Sequence, residues 1–168
     1  MLLEGAIPMI LYGEEQSMDA AAQGGFGFAT PPLWTYGYST VSEVFSFIAG
    51  INAHRSNTGL SSSNAMLRHP YKPVYVDDTM LVFQRGPTVV VLTNTGSGAA
   101  ARTLELASPA LDGTFLYPED ALCDVVTKKA ATVNGRPVVI GGELGSPTVT
   151  LEVFGEPLVL CACYIVNQ

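Results

Sequence analysis

Positive charge is scarce in this sequence. Only 8 of its 168 residues are Lys or Arg, against 15 Asp or Glu, for a formal net charge of −7. Nucleic-acid binding rests on cationic contacts with phosphate, so this balance argues against such a partner. Long hydrophobic runs are missing too. No stretch approaches the roughly 20 apolar residues of a membrane-spanning helix, so no membrane role is expected. No basic region and apolar core ending in a cleavage site follow Met1, so no signal peptide is expected in this chain. There is no Asn-x-Ser/Thr sequon, and glycosylation offers no clue to compartment. What remains is core material: 48% of residues are hydrophobic and 14% charged, which suits a globular chain of one domain, or one small domain and part of another.

Cysteine and histidine are also sparse, at three and two residues. No CxxC occurs, and no His accompanies Cys123, Cys161 or Cys163. A zinc site is therefore not expected, and no metal ligands are assigned. Cys161 and Cys163 stand two apart in a strand-like run and should share a face. Such positions are poorly placed to bridge each other. If a disulfide forms, Cys123 is the necessary partner. Three buried thiols are the alternative.

The stretch AIPMILYGEEQ (residues 6–16) poses the first structural question. Its apolar residues do not alternate with polar ones, as they would in a strand with one wet face. The pattern fits a strand buried on both faces, as in a parallel sheet covered by helices. Parallel neighbours need long crossovers, and only five residues precede Ala6. A short core helix segment is the alternative. Residues 17–39 read as loop. Thr40 and Glu43 match a T-x-x-E capping box, and Val41, Val44, Phe45, Ile48 and Ile51 recur at helical spacing behind it, so a helix should run to near Arg55. Residues 56–70, rich in Ser and Asn and ending at Pro70, form the best boundary.

From residue 71 the period changes to two. Strands are expected in 74–86 around Asp77-Asp78, in 87–96, in 102–108 and in 148–154. Asn134-Gly135 lies between two short apolar segments, a strong hairpin signal. Residues 157–166 are apolar on both faces and should be central. Short strands separated by Gly and Pro indicate an antiparallel sandwich or barrel. The organisation is therefore a strand–loop–helix over 1–55, a linker over 56–70 and a β domain over 71–168.

That order carries a family resemblance. GAIPMILYGEEQ, a loop reaching Leu33-Trp34, a helix with Asn52-Ala53-His54-Arg55 and an all-β domain together resemble the C-terminal end of fungal α-amylases of glycoside hydrolase family thirteen. DDTMLVFQRGPTVVVLTNTGS (77–97) is similar to the opening strands of that family's domain C. LCDVVT is similar to a segment where those enzymes place a disulfide cysteine, here Cys123. The resemblance spans nearly the whole chain. It implies an α+β piece, the final βα unit of a (β/α)8 barrel followed by a Greek-key sandwich, domain C. The lone strand would then be built for burial among barrel strands that the chain does not supply. The complete family cleaves internal α-1,4-glucosidic bonds of starch and glycogen with retention, without an organic cofactor. Such enzymes are usually secreted, and their calcium site and catalytic acids belong to earlier barrel segments.

On this reading the chain has no catalytic residue of its own. Glu14 and Glu15 follow a barrel-type strand, on the side where barrels keep their active sites. Adjacent residues diverge, however, and retaining hydrolysis needs two carboxylates opposed across the sugar. Trp34, Tyr36 and Tyr38 offer flat faces on which a sugar ring can stack, and Trp34, Tyr36, Glu14 and Glu15 are the candidate substrate contacts. The family's Asp-Pro-x-Asn-Arg run before the Trp is replaced by GGFGFATPPLW, so its Asp and Arg contacts are not carried over. Asp77-Asp78 reads as a turn, His54 as a partner of the helix C-terminal dipole, and His69 as a loop residue. A non-catalytic carbohydrate-binding or degenerate amylase-derived protein is the competing reading.

Overall fold

The computed structural model describes residues 9–18, 31–58, 69–96, 98–113, 116–125, 129, 131–133, 136–153 and 158–163. Among these residues, the 3-10 turns Glu14–Gln16 and Leu33–Tyr36 precede helix α1 (Glu43–Asn57). The strands follow: β1 (Lys72–Val76), β2 (Met80–Arg85), β3 (Thr88–Thr93), β4 (Arg102–Ala107), β5 (Leu122–Asp124), β6 (Thr132–Val133), β7 (Arg136–Pro137), β8 (Gly141–Glu143), β9 (Ser146–Val153) and β10 (Leu158–Ala162). They form a five-stranded sheet in the order β1-β2-β3-β10-β5, a three-stranded sheet in the order β4-β9-β8, and the β6–β7 pair. All pairings between these strands are antiparallel.

Burial follows the sequence pattern strand by strand. In β9, Val149, Leu151 and Val153 are buried while Thr148 and Thr150 are exposed, the period-2 signature of a sheet wet on one face. β4 alternates in the same way through Leu104 and Leu106. These side chains share one core with Val82, Val89, Val91 and Leu160 of the five-stranded sheet. The larger sheet is covered on its other face as well. There Phe83, Val90, Val159 and Cys161 cluster with Ile51 of α1. That double coverage is why β2 and β3 are buried along most of their length, and why β10, apolar on both faces, lies between β3 and β5.

Turn chemistry fixes the registers. Gly86 and Pro87 form the two-residue loop between β2 and β3. Gly86 has φ 56°, and a glycine of positive φ followed by Pro suits a tight hairpin. A Cβ there would lie 2.7 Å from His69 Nδ1, so the close approach of His69 also requires glycine. Pro73 sits in the edge strand β1 beside a register shift, where a missing backbone donor is tolerated. Thr132 pairs with Pro137 and Val133 with Arg136, so β6 and β7 pair as the hairpin signal indicates, although Asn134 and Gly135 lie outside the described residues.

Three expectations for the first 58 residues are corrected. No strand forms over Met9–Tyr12, and Ala6–Pro8 lie outside the described residues. Leu11 N–H instead donates to Glu14 Oε2 at 3.1 Å and Glu14 N–H to Leu11 O, folding the segment into a turn. With no strand paired to it among the described residues, the apolar run is largely solvent-exposed, Met9 at 89% and Leu11 at 69%. Of the βα unit, the described residues therefore contain the helix alone. The helix cap is Ser42, not the Thr40–Glu43 box: Ser42 Oγ accepts from Phe45 N–H at 3.0 Å, so Glu43 is the first helical residue. The apolar stripe of α1 is only partly engaged. Ile51 is buried, Phe45 and Ile48 are half-buried, and Val41 and Val44 are exposed.

Candidate functional site

Four of the residues singled out from the sequence sit on two adjoining turns. Glu14 and Glu15 belong to the first 3-10 turn, Trp34 and Tyr36 to the second. Side-chain hydrogen bonds tie the turns and α1 together. Leu33 N–H donates to Tyr12 Oη at 2.9 Å. Gln16 Nε2 donates to Ser39 O at 2.7 Å, and Ser42 Oγ donates to Glu15 O at 2.7 Å. Ser42 thus caps α1 and anchors the first turn to it. The result is a polar and aromatic rim: Tyr12, Trp34 and Tyr38 are exposed, Trp34 to 69%, and Tyr36 is half-buried. Tyr12 is the member that sequence reasoning missed, because it was counted in a run destined for burial.

Glu14 and Glu15 are adjacent in a single 3-10 turn. Glu14 Oε2 is engaged with the backbone N–H of Leu11. Glu15 is its immediate neighbour on a 3-10 turn, where consecutive side chains project about 120° apart. Glycoside hydrolysis by retention requires carboxyls about 5–5.5 Å apart on opposite sides of the anomeric carbon. What the rim can do chemically is stack on a flat ring and accept hydrogen bonds from hydroxyls.

His54 occupies the last turn of α1, but not as a charged dipole partner. It is buried, and Nε2 lies 2.7 Å from Thr88 Oγ1 of β3. Burial pushes its pKa down from 6.5 to about 4, so the imidazole is neutral at pH 7 and cannot offset the negative helix end. Its function is to pin α1 to the five-stranded sheet. Asp77 and Asp78 occupy the β1–β2 turn. Asp77 Oδ1 accepts from Thr79 N–H and Met80 N–H, both at 2.8 Å. Oδ2 takes Tyr75 Oη at 2.8 Å and Arg102 Nη1 at 2.6 Å. These donors, led by the Thr79 backbone, hold the Asp77 carboxyl well below the usual carboxylate range. The carboxylate thereby closes the turn and ties it to Arg102 of β4. His69 is less incidental than a loop residue: it packs over Gly86, and its carbonyl accepts from Arg85 Nε at 3.2 Å. Among the described residues, no group of three or more His, Cys, Asp or Glu is placed to hold a metal ion.

The three cysteines gather on the outer face of the five-stranded sheet. Cys123 of β5 is bonded to Cys163, just beyond β10, with Cα atoms 4.8 Å apart. Cys161 is a free thiol, buried in the same cluster. Desolvation raises its pKa to about 12, so it is protonated and poorly nucleophilic in the folded core.

No family model matches this chain. Similar proteins are nevertheless found among fungal α-amylases. The sequence is 28% identical to alpha-amylase 1 of Schizosaccharomyces pombe over 170 residues, covering 98% of this chain and 26% of that protein. It is 31% identical to alpha-amylase 1 of Lipomyces kononenkoae over 83 residues, 49% of this chain and 10% of that protein. The fold matches an α-amylase from Malbranchea cinnamomea with a TM-score of 0.58 and 25% identity, over 81% of this chain and 26% of the other. A cyclomaltodextrin glucanotransferase, CldA, shares the fold at a TM-score of 0.63 and 15% identity, over 94% of this chain and 29% of the other. The resemblance to fungal α-amylases thus holds in both sequence and fold. The chain spans about a quarter of the length of the S. pombe relative.

Proposed function

We propose that this chain acts as the C-terminal part of an α-amylase-like glycoside hydrolase on α-1,4-glucans such as starch and glycogen. Residues 1–55 would supply the last βα unit of a (β/α)8 barrel, 56–70 the linker, and 71–168 domain C as a Greek-key sandwich. One observation carries the reading: similarity to the S. pombe α-amylase runs along 98% of this chain while covering 26% of that protein. The exposed apolar residues of the first 58 positions support it. Met9, Leu11, Val41 and Phe47 face solvent, and barrel neighbours would bury them. In this reading the catalytic carboxylates and the calcium site lie in the remainder of the barrel, which is the chain's partner, and domain C shields and stabilises that barrel. Trp34, Tyr36, Glu14 and Glu15 would contact the glucan by stacking and hydrogen bonding. A location outside the cell accords with the Cys123–Cys163 disulfide, since such bonds persist in oxidising compartments.

The direct test is hydrolysis of a chromogenic maltooligosaccharide by the purified chain. The expected result is no turnover above background; turnover that scales with the amount of chain would overturn the assignment of catalysis to the rest of the barrel. A second reading, a non-catalytic carbohydrate-binding protein, is favoured by the exposure of Tyr12, Trp34 and Tyr38. Migration in native gels containing starch decides it. Retardation that Trp34→Ala abolishes supports glucan binding through this rim, whereas unretarded wild-type chain excludes it.

A further inference from the structure

The sheet register brings Cys161 to a position with a structural consequence. Along the β5–β10 pairing, Cys161 is directly opposite Cys123. Val125 N–H donates to Val159 O and Cys163 N–H to Ala121 O. Those bonds mark the pairs 125–159 and 121–163, so 123–161, midway between them, is also of the hydrogen-bonded type. Residues 159, 161 and 163 then project to one face, as do 121, 123 and 125. Val159, Cys161, Cys123 and Val125 are indeed in one buried cluster, with Cys163 packed against it. The bonded pair joins Cys123 of β5 to Cys163, the residue just past β10, with Cα atoms 4.8 Å apart. The unbonded pair is the direct one. Opposed residues of this type have Cα atoms about 5.5 Å apart, inside the 4.4–6.8 Å span that a disulfide accepts, but their Cβ atoms stand wider than its roughly 3.5–4.5 Å, so bridging them requires the strand end to shift.

We propose that Cys161 is a resolving thiol that moves the disulfide from Cys123–Cys163 to Cys123–Cys161, releasing Cys163, the residue just beyond β10, from its covalent tie to β5. The step is thiol–disulfide exchange. Cys161 gives up its proton, and its thiolate attacks Cys123 Sγ. A Cys161–Cys123 bond forms, the Cys123–Cys163 bond breaks, and Cys163 leaves as a thiolate that takes up a proton. One thiol and one disulfide enter and leave, so no external oxidant or reductant is involved. In the closed core the attacking thiol is buried and protonated, which holds the exchange in check. Fraying of the last residues of β10 hydrates Cys161 and releases that check. After exchange, Cys163 retains its backbone hydrogen bond to Ala121 but no covalent tie to β5.

The test follows the free thiol through the reaction. The full chain is incubated without reductant at pH 7 and at pH 9.5, with and without urea below the unfolding midpoint. It is then denatured in excess N-ethylmaleimide at pH 6, reduced, alkylated with iodoacetamide and digested with trypsin. Cys161 and Cys163 remain in one peptide, and fragment ions report which of them carries the maleimide. The proposal expects maleimide on Cys161 at pH 7 and transfer of a tenth or more to Cys163 at pH 9.5, increased by urea. Label that stays on Cys161 under every condition overturns it. A second measurement uses Cys163→Ser oxidised in air. Formation of a Cys123–Cys161 bridge supports the register argument, and two persistent free thiols contradict it. Should that variant fail to fold, the wild-type labelling decides alone.

Discussion

His54 illustrates how environment sets the role of a single residue. A histidine in the last turn of a helix is ordinarily read as a cation for the negative end. Here burial lowers its pKa to about 4, and Nε2 is hydrogen-bonded to Thr88 Oγ1 of β3. The linkage to stability has a definite sign. Between pH 6.5 and 4 the unfolded chain binds a proton at His54 that the folded chain does not. Stability from this residue is therefore complete above pH 6.5 and is lost as pH falls toward 4, by on the order of 2–3 kcal/mol. Urea unfolding of wild type and His54→Gln at pH 7 and pH 4.5 should show a steeper acid loss for wild type. Equal slopes would mean that the ring is protonated without cost. Thr88 was not legible as its partner, because nothing local in the sequence links positions 34 residues apart.

At the scale of elements, most of the β region could be read in advance. Val149, Leu151 and Val153 alternate with polar residues, and alternation has one physical meaning in a sheet with one wet face. The β2–β3 connection falls where the strands expected over 74–86 and 87–96 meet, because Gly86 can take a positive φ and Pro87 fixes its own. The helix start was less so. Thr40 and Glu43 satisfy a capping pattern, yet Ser42 also satisfies the chemistry, and which hydroxyl caps depends on where the incoming chain turns. Ser42 donates to Glu15 O while accepting from Phe45 N–H, so its position is selected by the first 3-10 turn. Ser42→Ala should cost about 1 kcal/mol or more in chemical denaturation, while Thr40→Ala should be near neutral. The reverse order would restore the Thr40 cap.

The whole molecule is unevenly buried. The two sheets enclose a core rich in Leu, Val and Ile, and α1 closes the outer face of the larger sheet through Ile51 and His54. The first 58 residues leave a group of large apolar side chains in solvent, among them Met9, Leu11, Val41 and Phe47. Contiguous exposed apolar surface marks an interaction site or an aggregation hazard. The purified chain should therefore bind a hydrophobic fluorescent dye. Val41→Glu with Phe47→Glu should reduce that binding by half or more without lowering the unfolding midpoint, since neither side chain contributes to the core. Unchanged fluorescence would place the dye site elsewhere.

The sequence by itself determined the strand periodicities, the tight turns, the presence of one helix and the likeness to fungal α-amylases, because each is written in residues close along the chain. Tertiary structure decided which sheet each strand joins, which hydroxyl caps α1 and which cysteines meet. It also decided that His54 is neutral and that the apolar run near the start is exposed. Those outcomes depend on groups brought together from distant positions, and a strand pattern specifies burial only where partners exist to provide it.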